Sequence, residues 1–434
     1  MGKRLRRSSS HIFLFAPPSG FCFRPPALLG SRWIAVALLL GCMLLTTVGS
    51  AQTLTTIFSF NGTNGDQPYG SLIQGADGEL YGTTSSGGTG ARVYGTIFKV
   101  STSGTFMTLH EFDKTDGANP FSGVVQASDG SLYGVTASGG LYGNGTVFKT
   151  TSDGVFTTVY TFCEHHMDGI CPDGSTPFGD LKQAGDGNFY GTTVEGGPVT
   201  SKKCPNHGAG CGTIFKFTPT GTLTTLYVFC QQTKCADGFS PESALIQGPG
   251  GTLYGTTDYG GAGSKSAGTI YSLTTAGVFT TLYSFCSQPA CADGVYPTSP
   301  LVLGPDGDFY GETYGAGPGT PGTVFQITSG GALTTLHTFA ATDGIGPLGG
   351  LTVGADGNFY GTTLYGGANR GGTAFRVTPS GEFTKLHDFC SLSGCSDGQL
   401  PTGSLVQAAD GNFYGSTVYG GAGNHGTVYK LSVP

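Results

Sequence analysis

From Pro68 to Phe112 short apolar runs alternate with glycine-rich turns, and this stretch is the unit from which the chain after residue 51 is built. Ser71 to Gly75 and Glu79 to Thr84 are two runs split by Ala76-Asp77-Gly78. Asp-Gly between apolar runs predicts a hairpin, with a type I′ turn that needs positive φ at both central residues. A third run, Thr96 to Ser101, is rich in β-branched and aromatic residues, as suits a strand. Ser103-Gly104 turns it into a fourth, Phe106 to Phe112. No stretch has the 3.6-residue apolar spacing of an amphipathic helix. The unit is therefore four antiparallel strands, A to D. One such sheet cannot bury both faces alone, so copies must pack on one another.

The Tyr-Gly pair of strand B counts the copies: Tyr81, Tyr133, Tyr190, Tyr254, Tyr310, Tyr360 and Tyr414. The Gly-Thr opening of strand C gives the same seven, with repeats starting near residues 53, 105, 155, 222, 278, 332 and 382. The ends are complementary. Leu54 to Phe60 matches strand D, and Thr427 to Val433 matches strand C of a last copy that lacks its own D. Joining them removes two sheet edges. The expected fold is all-β: a seven-bladed β-propeller over residues 52–434, with four-stranded antiparallel blades, closed by the N-terminal strand D on the C-terminal strand C. An open solenoid would want atypical capping repeats, and these ends are ordinary repeats with missing parts.

Residues 1–51 differ from the rest. Lys3, Arg4, Arg6, Arg7, Arg24 and Arg32 precede an apolar run from Trp33 to Val48, and Gly49-Ser50-Ala51 supplies small residues for cleavage. This is the pattern of a secretory signal. The run is short for a membrane span, so no transmembrane segment is expected in the mature chain. Lipidation at Cys42 would leave the apolar Met43 to Val48 just after the anchor, which argues against it. Taking the six leader cations from the 20 lysines and arginines leaves 14 against 27 acids, a net charge of −13. No cationic track remains to displace counterions, so nucleic acid is not an expected partner.

Ten cysteines outside the leader fall into close pairs: Cys163-Cys171, Cys204-Cys211, Cys230-Cys235, Cys286-Cys291 and Cys390-Cys395. In three copies the pair sits where the link from strand D to the next strand A is lengthened, as after Phe229, Phe285 and Phe389. Each pair reads as a disulfide across an extra loop in an oxidising compartment. The third copy gathers Cys163, His165, His166, Cys171, Cys204, His207 and Cys211, a set that could hold zinc. The matching pairs elsewhere favour disulfides, and no metal or cofactor is expected.

The string D-G-N-F-Y-G-T-T, a Gly-Gly pair, then G-T-A-F-R-V-T-P-S-G, at Asp356 to Gly381, is similar to the GloVer tandem repeat. The resemblance covers residues 53 to 434. It implies a propeller-like protein of the secreted or surface-anchored bacterial kind, and it transfers no activity and no catalytic residue. The sequence ends without an apolar helix or sorting tail, from which release into the periplasm or medium is expected.

Function is placed by loop variation. The A–B turns are near-uniform, at Asp77, Asp129, Asp186, Asp306, Asp356 and Asp410, with Gly250-Gly251 the exception, so their role is backbone geometry. The B–C and D–A loops vary and share the opposite face, where binding is expected. Each D–A link holds an Asp or Asn four residues before a Pro: Asn64, Asp116, Asp173, Asp237, Asp293, Asp343 and Asp397. They serve either as an acidic collar at the channel mouth or as turn formers. Tyr259, Tyr314, Tyr365 and Tyr419 in the later B–C loops serve either as a stacking platform for a sugar or peptide or as packing over their own turns. His110, His337 and His387 fill a strand D slot held elsewhere by Phe or Tyr, an aromatic position between blades. The expected activity is non-catalytic binding of an envelope, glycan or protein partner by a monomer. The alternatives are a polymer-acting lyase or hydrolase built on Glu195, His165, His166 and His207, the cluster that breaks the repeat, and an inert spacer.

Overall fold

A computed structural model describes residues 52–90, 94–164, 170–198, 204, 210–263, 265–315 and 321–433. These residues form strands and four single-turn 3-10 helices, arranged as seven antiparallel sheets. Blade 1 consists of strands A (Ile73–Gln74), B (Leu80–Thr84), C (Thr96–Val100) and D (Phe106–Glu111). Five further blades repeat this order. In blade 7, strand C (Thr427–Ser432) pairs antiparallel with Thr53–Ser59, from Thr53 opposite Ser432 to Ser59 opposite Thr427.

Each seam between blades is an apolar layer. Leu72, Leu80 and Phe98 of blade 1 meet Phe60, Tyr414 and Val428 of blade 7. Strand D aromatics stack on the next blade: Phe58 on Phe106 at 4.1 Å, His110 on Phe156 at 3.6 Å, Tyr227 on Phe279 at 3.9 Å and His337 on Phe383 at 4.0 Å between centroids. Such pairs add about 0.5–1.5 kcal/mol beyond their area. His110 and His337 thus occupy the interblade slot expected of them.

Within every blade a buried pair of threonine hydroxyls joins strands B and C, as Thr84 with Thr96 at 2.8 Å. The Thr84 oxygen also accepts from the Thr96 N–H and donates to the Ser86 carbonyl, so its burial leaves nothing unsatisfied.

The A–B turns differ from the type I′ form. Gly78 has φ +83°, whereas Asp77 keeps ordinary negative φ, and Gly78 N–H donates to Gly75 while Gly75 N–H donates to Glu79. This is the three-residue loop with a bulged glycine. Asp is selected for its carboxylate as well as for its geometry: Asp77 accepts from the Glu79 N–H and, at 2.6 Å, from the Tyr81 hydroxyl. The same Asp-to-Tyr bond recurs in five other blades.

Neighbouring A–B turns are joined by strand A glutamines. Gln126 donates to its own turn at Gly130 and accepts from the Ala76 N–H of the preceding blade. Gln183, Gln247, Gln407 and Gln74 repeat this double bond, the last spanning blade 7 and blade 1. Leu303 and Val353 replace the glutamine at the two junctions where the preceding turn residue is Pro249 or Pro305. A proline has no N–H to offer, so a glutamine there would have nothing to accept.

All five cysteine pairs are disulfides. Three of them close the 3-10 turns Thr233–Cys235, Pro289–Cys291 and Ser393–Cys395 in the lengthened D–A links.

Candidate functional site

After the Pro of each D–A link the chain leaves the sheet and runs along the axis before strand A. Segments from all seven blades, including Tyr69–Ser71, Phe178–Asp180 and Glu242–Ala244, surround one cavity of about 80 Å³. Its waist is tight. A Cβ on Gly70 would lie 2.4 Å from the Gly123 N, and one on Gly403 2.6 Å from the Gly70 carbonyl oxygen. This volume holds a few waters or one small head group rather than a polymer.

The axial segments do not repeat. The residue after the Pro is Tyr69, Phe121, Phe178, Glu242, Thr298, Leu348 or Thr402 in blades 1 to 7. Tyr69, Phe121 and Phe178 pack as an aromatic group, with centroids 5.4 Å and 5.1 Å apart along the row. Glu242 shares the cavity with them and is hydrogen-bonded to Asp258 of strand B's extension. Asp258 is 5% exposed. Burial first, and Glu242 second, push its carboxyl well above the usual range. The Tyr69 phenol is raised to about 12, by burial and then by Glu242, Tyr365, Tyr314 and Asp258.

Two more acids accept from axial backbone N–H groups. Asp180 accepts from the Gly123 N–H at 2.6 Å, and burial raises its carboxyl. Glu312 is 1% exposed and stands where five other blades have a Thr or Ser and blade 2 has Val135; of these, the Thr83 hydroxyl donates to the next axial segment at Ser122. It accepts from the Gly350 N–H at 3.0 Å, and burial pushes its pKa up to about 8.

The four tyrosines read as either a platform or turn packing are not in one row. Tyr259, Tyr365 and Tyr419 face Phe239, Ile345 and Gln399 across the sheet, but in blade 5 that register position is Gly315, opposite Val295. Tyr314 falls one residue earlier, at the position of Asp258, and so points to the other side of the strand. It lies over Gly346 of the next blade, where an added Cβ would be 2.7 Å from the ring. Tyr296 joins the group instead, 5.4 Å from Tyr259 by ring centroid and bonded through its carbonyl to the Tyr314 N–H. Tyr296, Tyr314 and Tyr365 are 37%, 38% and 42% exposed.

Of the two readings of the D–A acids, collar or turn former, the buried members favour the second. Asp237 and Asp293 are fully buried, and Asp397 is nearly so. Each accepts from the strand D aromatic of its own link. Asp237 takes the Tyr227 hydroxyl at 2.7 Å and the Gln231 and Gln232 N–H groups. Asp293 takes Tyr283, and Asp173 takes Tyr160 and the Cys163 N–H. Asp116, Asp343 and Asp397 bond His110, His337 and His387 at 2.7, 3.1 and 3.2 Å. Burial would raise Asp397, but the Ser391 hydroxyl and loop N–H groups hold it below the ordinary range. In the link from blade 7 to blade 1, where the slot is Phe58 and offers no proton, the residue is Asn64, bonded to the Asn61 N–H.

The enzyme alternative rests on residues that the structure treats unequally. Glu195 ends its strand opposite Ser175, half-buried, while His165, His166 and His207 lie outside the described residues. Cys204, Cys211 and Cys230 approach one another, but each is in a disulfide and has no thiolate for zinc.

The model of the Gloeobacter/Verrucomicrobia repeat matches residues 43–265, 171–352 and 262–434. The chain belongs to this family. No curated protein matches it significantly. Among solved structures, this Gloeobacter/Verrucomicrobia repeat protein is similar to the extracellular domains of two B. thetaiotaomicron proteins assigned as hybrid two-component systems. Each is 11% identical with a TM-score of 0.54 and covers 87% of this chain. The chain covers 39% and 41% of those structures, about two fifths of their length, and the likeness is one of fold.

The acids and aromatics of the axis were missed in the sequence because the residue after each Pro changes from blade to blade, which hides Glu242, while Glu312 is one odd residue inside an otherwise regular strand. Aligning the residue after each Pro, and the fourth residue of each strand B, isolates Glu242 and Glu312 as the charged member of each column.

Proposed function

We propose that this protein is a secreted, non-catalytic binding propeller that takes its ligand at the axial mouth on the B–C and D–A loop face. The observation that carries this reading is the one-sided group of exposed tyrosines, Tyr296, Tyr314 and Tyr365, beside Glu242 and Tyr69. A ring of like blades gains this asymmetry only by departing from its own repeat, and aromatic side chains beside a polar pocket are what binding surfaces use. Five disulfides support residence in an oxidising compartment, in keeping with the leader pattern of residues 1–51. A panel of glycans, peptides and amines, followed by tyrosine fluorescence and thermal shift, tests the reading. Hits should weaken at least tenfold in the double variant Tyr314→Ala/Tyr365→Ala. Hits that bind the double variant as well as the parent would place the ligand elsewhere.

A further inference from the structure

Thr53–Ser59 clasps blade 7, and the link after it carries a reactive pair. This link reads Asn61-Gly62-Thr63-Asn64-Gly65, where the next one reads Asp113-Lys114-Thr115-Asp116-Gly117. The two fold alike. Asn61 Oδ1 accepts from the Thr63 N–H, the Thr63 hydroxyl and the Asn64 N–H, as Asp113 Oδ1 does from Thr115 and Asp116. Asn64 Oδ1 accepts from the Asn61 N–H, as Asp116 Oδ1 does from the Asp113 N–H. An amide thus replaces an acid at both places without changing these bonds.

The fold selects both halves of Asn64-Gly65. The amide accompanies Phe58, which has no proton for an acid. The glycine has φ +132°, and a Cβ on it would lie 2.6 Å from Thr84 Cγ2. All seven D–A links keep a glycine at this place. Asn-Gly is a labile combination, since the asparagine amide is thermolabile and glycine lets the next backbone nitrogen approach it. The chain holds three such pairs, and the structure separates them. Gly62 N–H donates to the Gly65 carbonyl at 3.0 Å, and Gly145 N–H, after Asn144, donates to the Gly139 carbonyl at 3.1 Å. The Gly65 N–H has no partner among the described residues. Asn61 Oδ1 is held by three donors and Asn64 Oδ1 by one.

We propose that Asn64 is a site of spontaneous deamidation, which turns the one amide of the D–A column into an acid and loosens the clasp. The Gly65 nitrogen loses its proton and attacks the Asn64 side-chain carbon. Ammonia leaves, and a five-membered imide closes. Water opens that ring to aspartate or isoaspartate at position 64, and no other reactant is needed. Aspartate keeps the bond to the Asn61 N–H. Its second oxygen takes the place from which Asp116 Oδ2 bonds His110, and there the slot holds Phe58, whose ring stacks on Phe106 of blade 1. A carboxylate against that ring is desolvated and gains no bond. Isoaspartate lengthens the backbone by one carbon four residues before Pro68, where the chain turns to the axis.

The test is peptide mapping by mass spectrometry of the purified chain, held in warm, mildly alkaline buffer either folded or unfolded in guanidinium chloride. Unfolded, the three asparagines should gain the one-dalton mass of deamidation at similar rates. Folded, Asn64 should convert at least about fivefold faster than Asn61 or Asn144. Conversion at Asn64 no faster than at either of them in the folded chain overturns the site. Asn64→Asp, which imitates the product, should melt about 1–4 °C below the parent. Adding Phe58→His, which supplies the proton that His110 gives Asp116, should recover most of that loss. An Asn64→Asp variant that melts with the parent overturns the loosening.

Discussion

Glu312 shows how a single buried side chain can contribute a pH response to the ring. Its carboxyl is buried against Gly350, with Oε1 unbonded, and its pKa lies near 8 when folded against 4.5 unfolded. The folded state therefore holds the proton more tightly. Its contribution is complete below pH 4.5 and is lost as pH rises through about 8. We expect thermal stability to fall across that window and Glu312→Gln to flatten the fall, leaving the variant more stable than the parent at pH 8. The loss in question is on the order of a few kcal/mol. An unchanged slope in denaturation midpoint against pH would show that Glu312 is not its source. Residue-level legibility was uneven. The strand D slot and the D–A acid were each visible in the sequence, yet as separate features. Read together they are one: Asp accompanies His or Tyr, and Asn64 accompanies Phe58, because only the former have a proton to give. That pairing of columns adds a bond to the strand D side chain, which neither the collar nor the turn-former reading contained.

At the scale of the element, blades are locked by parts that are interchangeable until a backbone atom is missing. The glutamine that bridges two A–B turns appears wherever the preceding turn has an N–H, and gives way to Leu303 and Val353 after Pro249 and Pro305. A double-mutant cycle checks this. Leu303→Gln alone should gain nothing, and Pro249→Ala alone should cost a few tenths of a kcal/mol through the unfolded chain. Together they should couple favourably by about 1 kcal/mol, the net worth of a hydrogen bond. Strict additivity in urea melts would show that the bridge contributes nothing. The hairpins were legible as hairpins, from Asp-Gly between apolar runs, but not in type, since the bond from Asp77 to Tyr81 spans the turn and favours an ordinary backbone at the Asp. Strand A was expected over Ser71 to Gly75 and pairs only at Ile73–Gln74, because the residues before it are drawn off to the axis. No local pattern marks that departure.

For the whole molecule, repeat count and four-strand blades followed directly from the sequence, because seven near-identical units leave few other ways to bury both faces of each sheet. The axial cavity did not follow, since it belongs to no single repeat. Blade 7 is the point of greatest consequence. Its outer strand comes from Thr53–Ser59 and its neighbour from Thr427–Ser432. Deleting Thr53–Ser59 should expose the edge of strand C and strip Phe58 from Phe106. We expect a melting temperature lower by at least 10 °C and a chain prone to associate, read by calorimetry and light scattering. A truncated chain that melts with the parent would show the ring does not need this clasp.

That arrangement also fixes a timetable. A chain made and exported from its N-terminus delivers Thr53–Ser59 first and its partner last, so the earliest strand must wait, unmated, while six blades assemble. Until Ser432 emerges the protein is an arc with two sticky rims. Whatever guards those rims during export, a chaperone or simply speed, decides how many molecules finish as rings rather than join a neighbour's arc.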